Sequence, residues 1–203
     1  TAEMCKLTEN SFRDVNIAFA NELSMICANN GVDVWELIKL ANHHPRVNIL
    51  QPGTGVGGHC IAVDPWFIVS SDQKNSKLIK QAREVNDSKP NWVVEKIFQE
   101  AKDSGKANPQ IACLGLAFKP DIDDLRESPA SVVASSLVAL GLRVVCVEPN
   151  IEAHTDFLMT SLDDALKNAD VIAILVGHKE FRSEVIKEYL RSAKAIDFCG
   201  VLT

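Results

Sequence analysis

Gln110-Ile111-Ala112-Cys113-Leu114-Gly115-Leu116-Ala117 (QIACLGLA) is apolar at nearly every position, with no alternation of polar and apolar side chains. A strand with one wet face alternates; a short strand covered on both faces does not. Three more runs of this kind follow, at 143–148 (RVVCVE), 171–176 (VIAILV) and 195–198 (AIDF). Helical patterns at 130–140, 162–168 and 180–190 separate them. Strand and helix in alternation imply a parallel sheet with right-handed crossovers. The span 107–203 therefore reads as a small, Rossmann-like, doubly wound α/β domain.

The first half has a different period. Met4, Leu7, Phe12, Val15, Phe19, Leu23 and Ile26 recur in steps of three, four and five, which predicts one long amphipathic helix from Ala2 to about residue 29. Gly31 is a natural stop, and Asp33 caps a short helix carrying Val34, Leu37, Ile38 and Leu40. Further helix is expected at 66–69 and at 76–103, the latter kinked by Pro90. The span 1–106 thus reads as all-helical, and the fold class as α/β overall.

The chain has 203 residues, 46% hydrophobic and 24% charged, with a net charge of −6. Such an acidic balance offers no field for nucleic acid or an anionic membrane. No apolar run reaches the ~18 residues a membrane span requires, and nothing at the start resembles a signal peptide. Six cysteines show no C-x-x-C pairing and no metal-ligand spacing with the five histidines, so no metal is expected. Reduced thiols in a cytoplasmic protein fit this pattern. Thr1 opens almost directly into helix and Thr203 closely follows a core strand, which suggests a piece of a longer polypeptide.

Chemistry concentrates at Gly53-Thr54-Gly55-Val56-Gly57-Gly58-His59-Cys60-Ile61-Ala62-Val63-Asp64-Pro65. Four glycines in six positions let backbone approach a ligand closely. A thiol follows, and amides converging on a thiol favour its thiolate form. A carboxylate comes four residues later. Two readings stand at this point. One is covalent chemistry on a small anionic substrate; the other is a tight connection with a space-filling cysteine and Asp64 as a helix N-cap before Pro65.

The α/β half lacks a dinucleotide fingerprint, since Gly115-Leu116-Ala117-Phe118-Lys119-Pro120 follows the first strand instead of G-x-G-x-x-G. A nucleotide could still lie at the carboxyl ends of the strands, where Lys119 and Arg126 would offer cations to a pyrophosphate.

Three separated stretches, TAEMCKLTENSF at 1–12, GVGGHCIAVDP at 55–65 and GLAFKPDIDDLRESPA at 115–130, closely resemble the UDP-glucose/UDP-mannuronate dehydrogenase family. The resemblance covers almost the whole chain and implies a central helical dimerisation region followed by a C-terminal UDP-sugar-binding domain. It implies a cytoplasmic homodimer built on the long first helix, and an NAD-binding domain lying outside this chain. The GGHC-x-x-VDP variant implies a UDP-N-acetylmannosamine-type substrate, whose C6 alcohol is oxidised twice to the acid, with NAD as the oxidant, for bacterial surface polysaccharides.

The same resemblance assigns roles. Cys60 matches the nucleophile that holds the substrate as thiohemiacetal and thioester. Lys6 and Asn10 match the pair that steadies a developing oxyanion, and their spacing of four places both on one helix face. Asp64 matches the carboxylate that directs water for thioester hydrolysis. Arg46 matches an arginine that reaches the neighbouring subunit's substrate. Leu50, Gly53 and Gly57 belong to the loop that packs along the substrate, and Lys119 matches a substrate-contacting lysine. His43, His44 and His59 read as polar loop residues.

Two departures stand out. Where many members carry D-G-R after the last strand, this chain has Asp197-Phe198-Cys199-Gly200, leaving the nucleotide-contacting arginine unassigned. The resemblance also implies that acidic residues and a threonine supplied by the N-terminal domain lie outside this chain, so that no cofactor-binding residue is assigned here and no NAD-dependent turnover is expected of this chain alone. Competing readings are a nucleotide-sugar-binding module without catalysis, a dehydrogenase of another UDP-hexose, and a thiol hydrolase, which would need a base beside Cys60.

Overall fold

A computed structural model describes all residues, 1–203. The chain packs as two units, Thr1–Lys89 and Pro90–Thr203. In the first, α1 (Ala2–Asn30) runs as one helix and stops at Gly31, whose φ of 66° is the left-handed conformation glycine adopts freely. α2 (Val34–Ala41) starts at Asp33, whose carboxylate accepts from the N–H groups of Trp35 and Glu36. α3 (Asp64–Ser71) follows the glycine loop. α4 (Lys77–Asp103) begins in the first unit and continues through Pro90.

The expected division after residue 106 differs from this packing. Val93, Val94, Ile97 and Ala101, on the last turns of α4, are buried among the side chains of the sheet. The helix therefore serves two cores, and the boundary falls within it. The expectation had treated one continuous helix as one packing element.

In the second unit β1 (Gln110–Leu114), β2 (Arg143–Val147), β3 (Val171–Ile174) and β4 (Ile196–Asp197) form a wholly parallel sheet in the order β2-β1-β3-β4. Helices α5 (Pro129–Ala139), α6 (Leu162–Asn168) and α7 (Glu184–Ser192) link the strands. Alternate residues of each strand enter different cores. Ile111, Cys113, Val144, Cys146, Val171 and Ala173 pack with α5 and the end of α4. Ala112, Leu114, Val145, Val147, Ile172 and Ile174 pack with α6 and α7. Covered on both faces, these strands have no wet side to mark with polar residues, which is why their sequences run apolar.

The strands are shorter than their apolar runs. Leu116 and Ala117 lie beyond β1, and Leu175 and Val176 beyond β3, where both N–H groups reach the Leu114 carbonyl. The helix expected at 180–190 is a 3₁₀ turn at Lys179–Phe181 followed by α7, with Ser183 capping the new start.

Candidate active site and nucleotide-binding end

The glycine loop leads into a helical turn. The Cys60 carbonyl accepts from Asp64 N–H at 2.8 Å and from Val63 N–H at 3.1 Å. Cys60 is exposed and precedes α3 by one turn, so its side chain and that of Asp64, four residues apart, share a face. Gly58, with φ 86°, makes the sharp entry into this turn, a conformation a side chain would strain.

Asp64 is not the N-cap that its sequence position suggested. Val63 occupies the cap position, and Asp64 is the first helical residue. Its carboxylate instead accepts from the buried Asn10 amide at 2.5 Å. Asn10 is thus joined to Asp64 across 54 residues of sequence. Lys6, one helical turn earlier, is exposed and pairs with Glu9 at 3.5 Å.

Below this surface lies a buried polar layer that the sequence did not reveal. Arg83 Nη1 donates to Asp14 Oδ1 at 2.6 Å, with only 1% and 0% of the two side chains exposed, and Arg83 also pairs with Asp87. Burial pushes the Asp14 carboxyl above its usual range despite the opposing pull of Arg83. Asn86 donates to Asp14, and Asn21 donates to Asn86 while accepting from the Gly53 N–H at 2.9 Å. Lys89 donates to Ser24, and burial lowers its pKa to about 7. The available signal is polar residues at helical spacing, Asp14 and Asn21 on α1 in line with Asn10, and Arg83 and Asn86 on α4.

Of the other expected residues, Arg46 is exposed and its N–H donates to His44 Nδ1. Leu50, Gly53 and Gly57 are half-buried in the loop.

In the second unit β1 lies between β2 and β3, so the carboxyl ends of β1 and β3 flank the point where the winding reverses. The loops there approach closely: a Cβ on Gly115 would come within 2.5 Å of Val176 Cβ, and Gly115 has φ 88°. Glu148, at the end of β2, accepts from Leu116 N–H at 2.7 Å and Ala117 N–H at 3.0 Å. His178 Nδ1 accepts from Asp121 N–H, so its Nε2 carries the proton donated to Glu148 at 3.0 Å. Burial works to raise the Glu148 pKa, but the His178 bond and these backbone donors outweigh it, bringing it down to about 2.

This geometry bears on the cofactor. The amides after β1, which in a dinucleotide-binding turn would face a pyrophosphate, are held by the protein's own carboxylate. The residues of this unit do not fit NAD. Asp121, His178 and Glu180 also cluster, but the Nδ1 lone pair a metal would need already accepts from Asp121 N–H. Lys119 is exposed beside Phe118, with Nζ 5.6 Å from the ring centre. Arg126, offered by the sequence to a phosphate, is held by Asp124 through two hydrogen bonds of 2.9 and 2.7 Å. Asp197, at the end of β4, accepts from the N–H groups of Cys199, Gly200 and Leu202 and so closes the final turn.

Residues 1–88 match the UDP-glucose/GDP-mannose dehydrogenase family, central domain, and residues 112–203 match the UDP binding domain of the same family. The chain belongs to that family. A UDP-N-acetyl-D-mannosamine dehydrogenase of Campylobacter jejuni is 58% identical over 98% of this chain and 49% of its own length. An NDP-N-acetyl-D-galactosaminuronic acid dehydrogenase of Ralstonia nicotianae is 54% identical over 99% of this chain and 48% of its own. Among solved structures, a UDP-D-ManNAc dehydrogenase from Pyrococcus horikoshii superposes with a TM-score of 0.87 at 37% identity, covering 100% of this chain and 49% of that one. The chain spans about half the length of the curated relatives it matches. No helix is long and apolar enough to cross a membrane.

Proposed function

We propose that this chain carries the substrate chemistry of a cytoplasmic, NAD-dependent UDP-N-acetyl-D-mannosamine 6-dehydrogenase, which converts the C6 alcohol to the carboxylate. The observation that carries the reading is Cys60 exposed at the end of a glycine loop, one helical turn before Asp64, with Asn10 fixed on that carboxylate. A thiol so placed adds to the C6 aldehyde, forming a carbon–sulfur bond and leaving the carbonyl oxygen as an oxyanion or hydroxyl. The substrate then cannot escape at the aldehyde stage. Lys6 and Asn10 steady that oxygen, and Asp64 orients the water that later cleaves the thioester and releases the acid and the thiol. NAD, when bound, would supply the hydride acceptor for both oxidations, alcohol to aldehyde and thiohemiacetal to thioester, and its binding is assigned to the part of the relatives that this chain does not match. The second unit, with Lys119 at its strand ends, is assigned the UDP moiety, which its family description supports. Arg46, Leu50, Gly53 and Gly57 are assigned to substrate contact.

A homodimer accompanies this reading. Met4, Phe12, Phe19 and Ile26 are 50%, 68%, 53% and 49% exposed, and steps of seven or eight align them along one face of α1. Water-facing aromatics in such a stripe suit a second copy of the same helix.

The similarity to both mannosamine- and galactosaminuronate-named relatives makes the sugar the finer part of the proposal. In the full-length protein, Cys60→Ser should abolish formation of the UDP-sugar acid. Steady acid production by that variant would refute the covalent role.

A further inference from the structure

Two amides on α1 hold the two ends of the cysteine-bearing segment. Asn10 donates to Asp64 at its far end, and Asn21 accepts from the backbone N–H of Gly53 at its near end. They are eleven residues apart, three helical turns at 3.6 residues each, so they lie on one face roughly 16 Å apart along the axis. Between the held ends come Gly55, Gly57 and Gly58, two of them at positive φ. Glycines give the loop its close approach but leave its path undetermined unless other groups fix it.

Asn21 is suited to fixing it because its orientation is itself fixed. The side chain is completely buried; its oxygen faces the Gly53 N–H and its nitrogen faces Asn86 Oδ1, each at 2.9 Å. Turning the amide over would set donor against donor at Gly53 and acceptor against acceptor at Asn86. Asn86 in turn donates to the Asp14 carbonyl at 3.1 Å and carboxylate at 2.8 Å, and Asp14 is paired with Arg83. The loop is thereby referenced to the helix pair α1–α4 and not merely tethered.

We infer that Asn21 is a positioning residue for the substrate loop, acting through the Gly53 backbone to set the path that ends at Cys60. This rests on the reading of that loop as the substrate-holding element. It touches no reacting atom and gives binding its geometry.

The test uses the full-length protein with UDP-N-acetylmannosamine and two variants that keep the branched side-chain shape. Asn21→Leu removes the acceptor and should raise KM at least tenfold while kcat falls less, with a cooperative melting transition retained. Asn21→Asp adds a pH signature. A buried carboxyl is neutral in acid, where its oxygen accepts from Gly53 and its O–H donates to Asn86, as the amide does. As pH rises and it ionises, the donor is lost. Its KM relative to wild type should therefore be near one at pH 6 and climb severalfold by pH 9. Taking the ratio removes titration of Asp14, Arg83, Asp87 and Lys89, the charged groups in the same layer, which both proteins share.

A KM ratio that stays flat with pH, or an Asn21→Leu variant of lowered melting temperature but unchanged KM, would overturn the assignment. If Asn21→Leu fails to fold, the Asn21→Asp profile alone decides. An active Cys60→Ser enzyme alongside impaired Asn21 variants would sink the covalent reading and leave the positioning role standing.

Discussion

The two units solve the burial problem in opposite ways. The second buries Ile, Val, Leu and Ala on both faces of a parallel sheet, with a buried hydrogen bond from His178 to the Glu148 carboxylate at its strand ends. The first buries Asn10, Asp14, Asn21, Arg83, Asn86 and Lys89 and few large apolar side chains, while Met4, Phe12, Phe19 and Ile26 stay in water. Apolar burial at about 25 cal/mol per Å² is available to the second unit and largely withheld from the first. A helical layer organised by charges and amides specifies geometry at some cost in stability, and it leaves an apolar stripe of α1 exposed.

The sharpest way to break this contrast is to remove one charge from the first unit. Arg83→Met leaves Asp14 buried without its partner, and the expected loss is about 3–5 kcal/mol, read by chemical denaturation. A loss below 1 kcal/mol would mean the polar layer is incidental.

The second unit should instead respond to acid. Glu148 falls from 4.5 to about 2 on folding, so its contribution is complete above about pH 4.5 and vanishes as pH falls towards 2. That amounts to about 3 kcal/mol. Wild type should lose this much more stability than Glu148→Gln between pH 6 and pH 2.5; equal losses would remove the Glu148–His178 pair from the account.

The smallest change in stability is expected at the surface of α1. Phe12→Asp and Phe19→Asp together should yield monomers in sedimentation, with little unfolding of the isolated chain. A dimer that survives both substitutions would place the interface elsewhere.

Legibility followed the same division. The sheet could be read because burial on both faces leaves unbroken apolar runs, with helical patterns alternating between them. The cysteine turn could be read because glycines, thiol and carboxylate are contiguous. Of the two readings open for Asp64, the cap fails because Val63 takes that place, and its actual partner, Asn10, lies 54 residues away, beyond the reach of local capping rules. Asn21, Arg83 and Asn86 escaped notice because buried polar residues become visible only when two helices are laid together. Glu148 and His178 each sit just beyond an apolar strand run, a position that in an open α/β sheet merits a functional reading.

The most direct test of the account is the alkylation rate of Cys60 in the full-length protein, measured by intact mass with and without UDP-N-acetylmannosamine. Cys60 should be modified ahead of the buried Cys27, Cys113 and Cys146, and saturating UDP-sugar should slow that modification at least tenfold. A Cys60 rate unaffected by the UDP-sugar would contradict the placement of substrate chemistry at this thiol.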